Sequence, residues 1–114
     1  MAATVIYHNP KCSTSRKTLE LLRDNGIEPD VVQYLKTPPS RDELVNMIRA
    51  AGIDVRSAVR KREALYAELK LADASDDQLL DAMAEHPILI ERPFVVTSKG
   101  ARLARPVDTV REIL

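Results

Sequence analysis

The chain holds one cysteine, one phenylalanine, three glycines and no tryptophan among its 114 residues. A single thiol excludes an intramolecular disulfide and a Cys-x-x-Cys redox couple, and the position where such a couple would carry its second sulfur is Ser15. The two histidines, His8 and His86, stand far apart and offer no metal-ligand set, so no metal is expected. Charge of one sign is not in excess. Lys+Arg and Asp+Glu both number 17, which argues against a nucleic-acid partner or an anionic membrane and makes any anion preference a local matter. No run approaches the ~18 apolar residues of a membrane span, and the N-terminus shows no signal-like apolar segment. A cytoplasmic location is expected. With 45% hydrophobic and 30% charged residues, the composition suits one soluble domain over residues 1–114, monomeric by default.

What is present concentrates in residues 8 to 16, His-Asn-Pro-Lys-Cys-Ser-Thr-Ser-Arg. This stretch follows the β-prone run Thr4-Val5-Ile6-Tyr7 and leads into a helical pattern carrying Leu19, Leu22 and Arg23, so Cys12 should sit where a strand ends and a helix begins. The first N–H groups of a helix have no intrahelical partner, and the aligned peptide dipoles place partial positive charge there. A thiol at that point is drawn toward thiolate, whereas a free thiol with pKa near ~8.5 is only about 3% ionised at pH 7. Arg16, four residues on, is expected to add its charge to the same sulfur. An unpaired cysteine is otherwise a small buried hydrophobe, but the polar and cationic neighbours Lys11, Ser13, Thr14, Ser15 and Arg16 favour a reactive one. His8 reads two ways, as a satisfied strand-end histidine or as a charged imidazolium supporting the thiolate. Ser15 and Thr14 likewise read either as hydroxyl donors to the sulfur or oxyanion, or as helix-start residues.

In chain order, residues 4–8 form the first strand and Ser13 to about Asn25 the first helix, stopped by Asn25-Gly26. Val31 to Leu35 is a second strand, and the crossover makes a βαβ unit with parallel strands. After Pro38-Pro39, Ser40 with Glu43 is a capping-box signature for a helix from Arg41 to about Ala51, ended by Gly52. Asp54 caps a short helix expected to carry Arg56 and Arg60, Glu63 to Leu69 suggest another turn or two, and Ser75 with Gln78 opens a helix to His86. Phe94-Val95-Val96-Thr97 is the clearest strand, turned by Ser98-Lys99-Gly100 into a partner strand Arg102–Arg105. Pro106 stops it, and Val107 to Leu114 reads as a terminal helix with Val107, Val110, Ile113 and Leu114 on one face. The order is βαβ, a helical insertion over about 40–86, then ββα: an α/β chain with the element order of a thioredoxin-like mixed sheet.

His8-Asn9-Pro10-x-Cys12-x-Thr14-Ser15-Arg16, the Pro38-Pro39-Ser40 break, Arg60-Lys61, His86-Pro87-Ile88-Leu89-Ile90-x-Arg92-Pro93 and Leu103-Ala104-Arg105-Pro106 together resemble the glutaredoxin-coupled arsenate reductase family over nearly the whole chain. The resemblance implies a thioredoxin-like fold, a nucleophilic Cys12, an oxyanion held by Arg60, Arg92 and Arg105, and a cis peptide before Pro93. It also implies arsenate as substrate, no bound cofactor, glutathione as co-substrate and glutaredoxin as partner. The chemistry of the residues agrees. Arsenate near neutral pH is a tetrahedral anion that needs several fixed donors, and the planar fork of arginine supplies them directionally. Arg62, Arg102, Lys61 and Lys99 read as solvated surface charge. Because the chain has no second cysteine, a Cys12–arsenate adduct would need an external thiol to resolve it. Ser13 stands where relatives often carry glycine. The alternatives are a glutathione-dependent thiol oxidoreductase, which would need Cys12 but not all three arginines, and a non-enzymatic regulator of the same fold. A phosphatase-type Cys-x5-Arg loop is excluded, since position 18 is Thr18.

Overall fold

The computed structural model describes residues 4–114. Four short strands, β1 (Val5–His8), β2 (Asp30–Gln33), β3 (Phe94–Thr97) and β4 (Gly100–Leu103), form one sheet in the order β2-β1-β3-β4. β1 pairs parallel to β2 and antiparallel to β3, and β3 pairs antiparallel to β4. The crossover from β1 to β2 is helix α1 (Ser13–Asp24), so the βαβ…ββα order read from the sequence is the thioredoxin-like mixed sheet that forms.

Period-two alternation along the strands builds a core on each face of the sheet. Ile6 and Val95 point to one side, where they meet Leu22 of α1 and Val110 and Ile113 of the C-terminal segment. Phe94 and Ala101 point to the other, where the helices inserted between β2 and β3 cover them through Leu44, Met47, Ile48, Leu79 and Met83. Phe94, the sole phenylalanine, is fully buried. Cutting it to alanine would cost about 3–5 kcal/mol.

The insertion begins with α2 (Arg41–Ala51) and ends with α4 (Asp76–Glu85), both opened by the expected capping boxes, Ser40 with Glu43 and Ser75 with Gln78. Gly52 closes α2 at φ 69°, a left-handed conformation that side-chain-bearing residues adopt at a cost. Between them lie single turns at Arg56–Ala58 and Leu71–Asp73 and a short α3 (Ala64–Glu68). These pieces are too short to hold themselves together. Arg56 does so instead, donating to the Tyr66 hydroxyl at 3.1 Å, Leu71 O at 3.1 Å and Ala74 O at 2.6 Å.

Several boundaries differ from those expected. β2 runs over Asp30–Gln33 and not to Leu35, because Lys36 and Thr37 N–H both fold back onto Gln33 O and turn Tyr34 into the core. β4 is Gly100–Leu103 and not Arg102–Arg105; Ala104 N–H still bonds in register to Pro93 O at 3.0 Å, but Pro93 has no N–H to return and Arg105 N–H folds back onto Leu103 O at 2.8 Å. The short helix after Asp54, whose carboxylate accepts from Ser57 N–H at 2.8 Å, stops at Ala58, so Arg60 lies beyond it. The C-terminal segment is a 3-10 helix over Val107–Ile113, not an α-helix. Its apolar residues Val107, Val110 and Ile113 are three apart, the spacing that a three-residue turn stacks on one edge.

Candidate active site

Cys12 is the N-cap of α1, with extended backbone angles and a half-buried side chain. The loop that delivers it is closed by its own hydrogen bonds. Asn9 O accepts from Cys12 N–H at 3.0 Å, and the Asn9 side-chain oxygen accepts from Lys11 N–H at 3.0 Å, an Asx-type turn. Ser15, fully buried, ties the loop to the helix, its hydroxyl accepting from Asn9 N–H at 3.0 Å and meeting His8 Nδ1 at 2.6 Å.

The electrostatics at the sulfur follow from this placement. Partial burial alone pushes the Cys12 thiol up, but the backbone N–H groups of Ser15 and Thr14 point at it, and the guanidinium groups of Arg105 and Arg92 add positive charge; the net result is a thiol held below its ordinary value. Arg105 Nη2 lies 3.7 Å from Cys12 Sγ. Arg16 takes no such part, since its guanidinium donates to Pro10 O at 2.9 Å. Cys12 as N-cap does not have helical geometry, so the four-residue rule that suggested Arg16 does not apply to it. His8 resolves toward the satisfied reading. It is buried, and that burial, with the charges of Arg16 and Arg23, holds the imidazole below its ordinary value, which favours the neutral ring over an imidazolium.

Arg60, Arg92 and Arg105 converge on Cys12 from separate parts of the chain, and all three line one hollow of about 260 Å3 together with Asn9, Thr14 and the sulfur. Two carboxylates organise them. Glu91 receives Arg60 Nη1 at 3.2 Å on one oxygen and faces Arg105 Nε at 3.6 Å with the other. Glu63 receives Arg60 Nε at 3.0 Å and stands 3.9 Å from Arg92 Nη2. Arg60 reaches the site because its N–H bonds to Leu89 O at 2.7 Å while Glu91 N–H bonds to Ala58 O at 2.8 Å, which lashes the insertion to the segment ahead of β3. Arg105 Nε donates to Arg92 O at 2.8 Å. The peptides before Pro93 and Pro106 are both cis, the first as the resemblance implied.

Arg92 is the most buried of the trio and the least well partnered. It is 6% exposed, its Nη1 contact to Ile88 O is long at 3.4 Å, and its Nε finds no partner among the described residues. The Tyr34 hydroxyl, beside Asn9 and Arg92, is also buried with no partner of good hydrogen-bond geometry among the described residues, and burial pushes it above its ordinary value.

The arrangement presents a nucleophilic sulfur, a helix N-terminus and converging guanidinium groups to one small anion. Residues 7–113 match the model of the ArsC family. The chain belongs to the ArsC family. A protein named arsenate reductase from Rhizobium meliloti strain 1021 is 60% identical over 111 residues, which cover 96% of this chain and 79% of that protein. Another of that name from Escherichia coli is 55% identical over 116 residues, covering 100% of this chain and 82% of the relative. The solved structure of "Arsenate reductase from Vibrio cholerae" superposes with a TM-score of 0.94 at 53% identity, covering 99% of this chain and 98% of that one.

In this ArsC-family chain the hollow includes residues that sequence reasoning passed over. Arg62 lines it, although it reads in sequence as solvated charge. Glu63 carried a weak local signal, three residues after Arg60, whereas the pairing of Glu91 with Arg60 spans 31 positions and has none. No group of three or more His, Cys, Asp or Glu side chains that could hold a metal occurs among the described residues. No helix among them is long and apolar enough to cross a membrane.

Proposed function

We propose that this protein is an arsenate reductase, with Cys12 as nucleophile and with glutathione and glutaredoxin supplying the electrons. The observation that carries the reading is the 3.7 Å approach of Arg105 Nη2 to Cys12 Sγ, in a hollow that Arg60 and Arg92 also line. Dihydrogen arsenate bound there gives its oxygens to the arginine forks and the N–H groups of α1. The Cys12 sulfur bonds to arsenic, one arsenate oxygen leaves as water with the thiol proton and a proton from the oxyanion, and arsenic remains pentavalent in the adduct. Reduction takes two electrons from two external thiols, so that arsenate and two thiols become arsenite, one disulfide and one water. The chain's single cysteine supports this external supply. His8 and Ser15 serve by holding the Cys12 loop on α1, and no bound metal or cofactor enters the reaction. The protein acts as a cytoplasmic monomer.

The test is arsenate-dependent NADPH consumption with glutathione, glutaredoxin and glutathione reductase, repeated with thioredoxin in place of the glutathione set. Turnover with the glutathione set alone, lost in Cys12→Ser and Arg92→Ala, supports the proposal. If arsenate elicits no turnover while Cys12 exchanges readily with glutathione disulfide, the protein is a thiol oxidoreductase instead.

A further inference from the structure

The hollow over Cys12 is lined by two kinds of cation. Arg60, Arg92 and Arg105 are buried or partly buried, and each is engaged: Arg60 with Glu63 and Glu91, Arg105 with Arg92 O and Glu91, Arg92 with Ile88 O. Lys11 and Arg62 line the same hollow but stand exposed, and neither side chain makes a hydrogen bond or an ion pair among the described residues. They come from separate segments, Lys11 from the loop that delivers Cys12 and Arg62 from the link between Arg60 and α3.

Charge balance separates the two kinds. Glu63 and Glu91 sit against the inner guanidinium groups, and a Cys12 thiolate adds a further negative charge. The charges of the three inner arginines are then offset, which leaves directed donors but little net attraction for an anion still in solvent. Donors act at hydrogen-bond range, whereas attraction from solvent depends on uncompensated charge. Lys11 and Arg62 are the lining residues that carry it. Being exposed, they are screened within a Debye length of ~8 Å at physiological salt, so they act at the opening of the hollow and not from afar. Nothing ties their long side chains, so they follow an anion inward while the inner arginines stay fixed on their carboxylates. We propose that Lys11 and Arg62 form a capture pair for the oxyanion: they raise its concentration at the opening and pass it to Arg60, Arg92 and Arg105, which hold it for attack by Cys12. The inference deepens the oxyanion reading above and rests on it for the identity of the anion.

The test reads the potential at the sulfur without arsenate. Cys12 is alkylated by iodoacetate, an anion, and by its neutral analogue iodoacetamide; in each reaction the sulfur displaces iodide and forms a carbon–sulfur bond. The quantity measured is the ratio of the two second-order rate constants, in which the thiolate fraction cancels. Lys11→Gln and Arg62→Gln should each lower the ratio of iodoacetate to iodoacetamide about twofold, and the double variant about fourfold. In ~1 M salt the difference from the wild type should vanish. The charge-retaining Lys11→Arg and Arg62→Lys should keep the wild-type ratio. So should Lys99→Gln, since that ammonium donates to Leu114 O at the far end of the β3–β4 hairpin. In a second arm, the arsenate concentration that half-protects Cys12 from iodoacetamide should rise about tenfold in the double variant, because a more highly charged anion feels the lost cations more. An unchanged ratio in the double variant, an equal fall in Lys99→Gln or in the charge-retaining variants, or half-protection at the wild-type arsenate concentration overturns the assignment. Because the ratio is read without arsenate, a wild type that arsenate neither protects nor turns over refutes the oxyanion reading, while a fall in the ratio still establishes the capture of anions by this pair.

Discussion

Arg105 Nη2 sits 3.7 Å from Cys12 Sγ, and 93 residues of sequence separate them. A cation at that distance stabilises a thiolate and the negative charge that develops on a bound oxyanion. Arg105→Ala should therefore lower kcat/KM for arsenate about 10- to 100-fold, the equivalent of about 1.5–3 kcal/mol for a charge-assisted hydrogen bond. Arg105→Lys should recover only part of this, since a lysine cannot donate both to the sulfur and to Arg92 O. Steady-state kinetics of the two variants check it.

Glu91 holds Arg60 and Arg105 with its two carboxylate oxygens. Removing its charge adds net positive potential to the hollow, but it frees two long side chains to sample other rotamers, and geometry controls the reaction more tightly than net charge does. Glu91→Gln should reduce kcat/KM about tenfold. Equal or better activity in the variant would show that the carboxylate is a brake on the site and not its frame.

Arg56 lies outside the active site and ties three pieces of the insertion together through Tyr66, Leu71 and Ala74. Arg56→Ala strands two buried-side carbonyls and a hydroxyl, so it should cost about 2–4 kcal/mol of stability. Urea unfolding measures this loss, while the rate of Cys12 alkylation below the transition should stay close to that of the wild type.

Tyr34 gives the opposite sign. Its hydroxyl is buried with no partner of good hydrogen-bond geometry among the described residues and only a marginal interaction with the Asn9 side chain, so its removal forfeits little and spares a desolvation cost. Tyr34→Phe should raise stability by about 1 kcal/mol, read as an increase of several degrees in Tm.

His8 sets an acid limit. Its imidazole is held below the ordinary value in the folded chain, so the unfolded chain binds the proton more tightly. The stabilisation is complete above the unfolded value of ~6.5 and is lost as pH falls through the lower folded value. Between pH of about 7 and 5 the urea midpoint of the wild type should therefore fall more steeply than that of His8→Asn, which cannot titrate in that range.

Much of this architecture is legible in local sequence, because the signals are themselves local. Ser40 with Glu43 and Ser75 with Gln78 bond within a single turn, and both capping boxes form where expected. The β-branched run at Val95-Val96 behind Phe94 likewise reports its strand. Cys12 at the head of α1 is legible for the same reason. Residues that act across the fold are not. The Glu63 and Glu91 frame brings arginines from three segments onto shared carboxylates, and no periodicity records such a meeting. Ser15 and Thr18 lie on the buried face of α1, where an apolar stripe would be sought, because their hydroxyls are satisfied by Asn9 N–H and Thr14 O. Arg60, expected on a helix, is instead placed by its own N–H bond to Leu89 O and by the bond from Glu91 N–H to Ala58 O two residues before it.

The most direct test of the central claim is the rate of Cys12 alkylation by iodoacetamide as a function of pH, with and without arsenate. If the helix N-terminus and arginines prepare a thiolate for an oxyanion, the rate will titrate with a midpoint below the ~8.5 of a free thiol, and arsenate will protect the sulfur. A midpoint at or above the free-thiol value, together with no protection at any arsenate concentration, would contradict it.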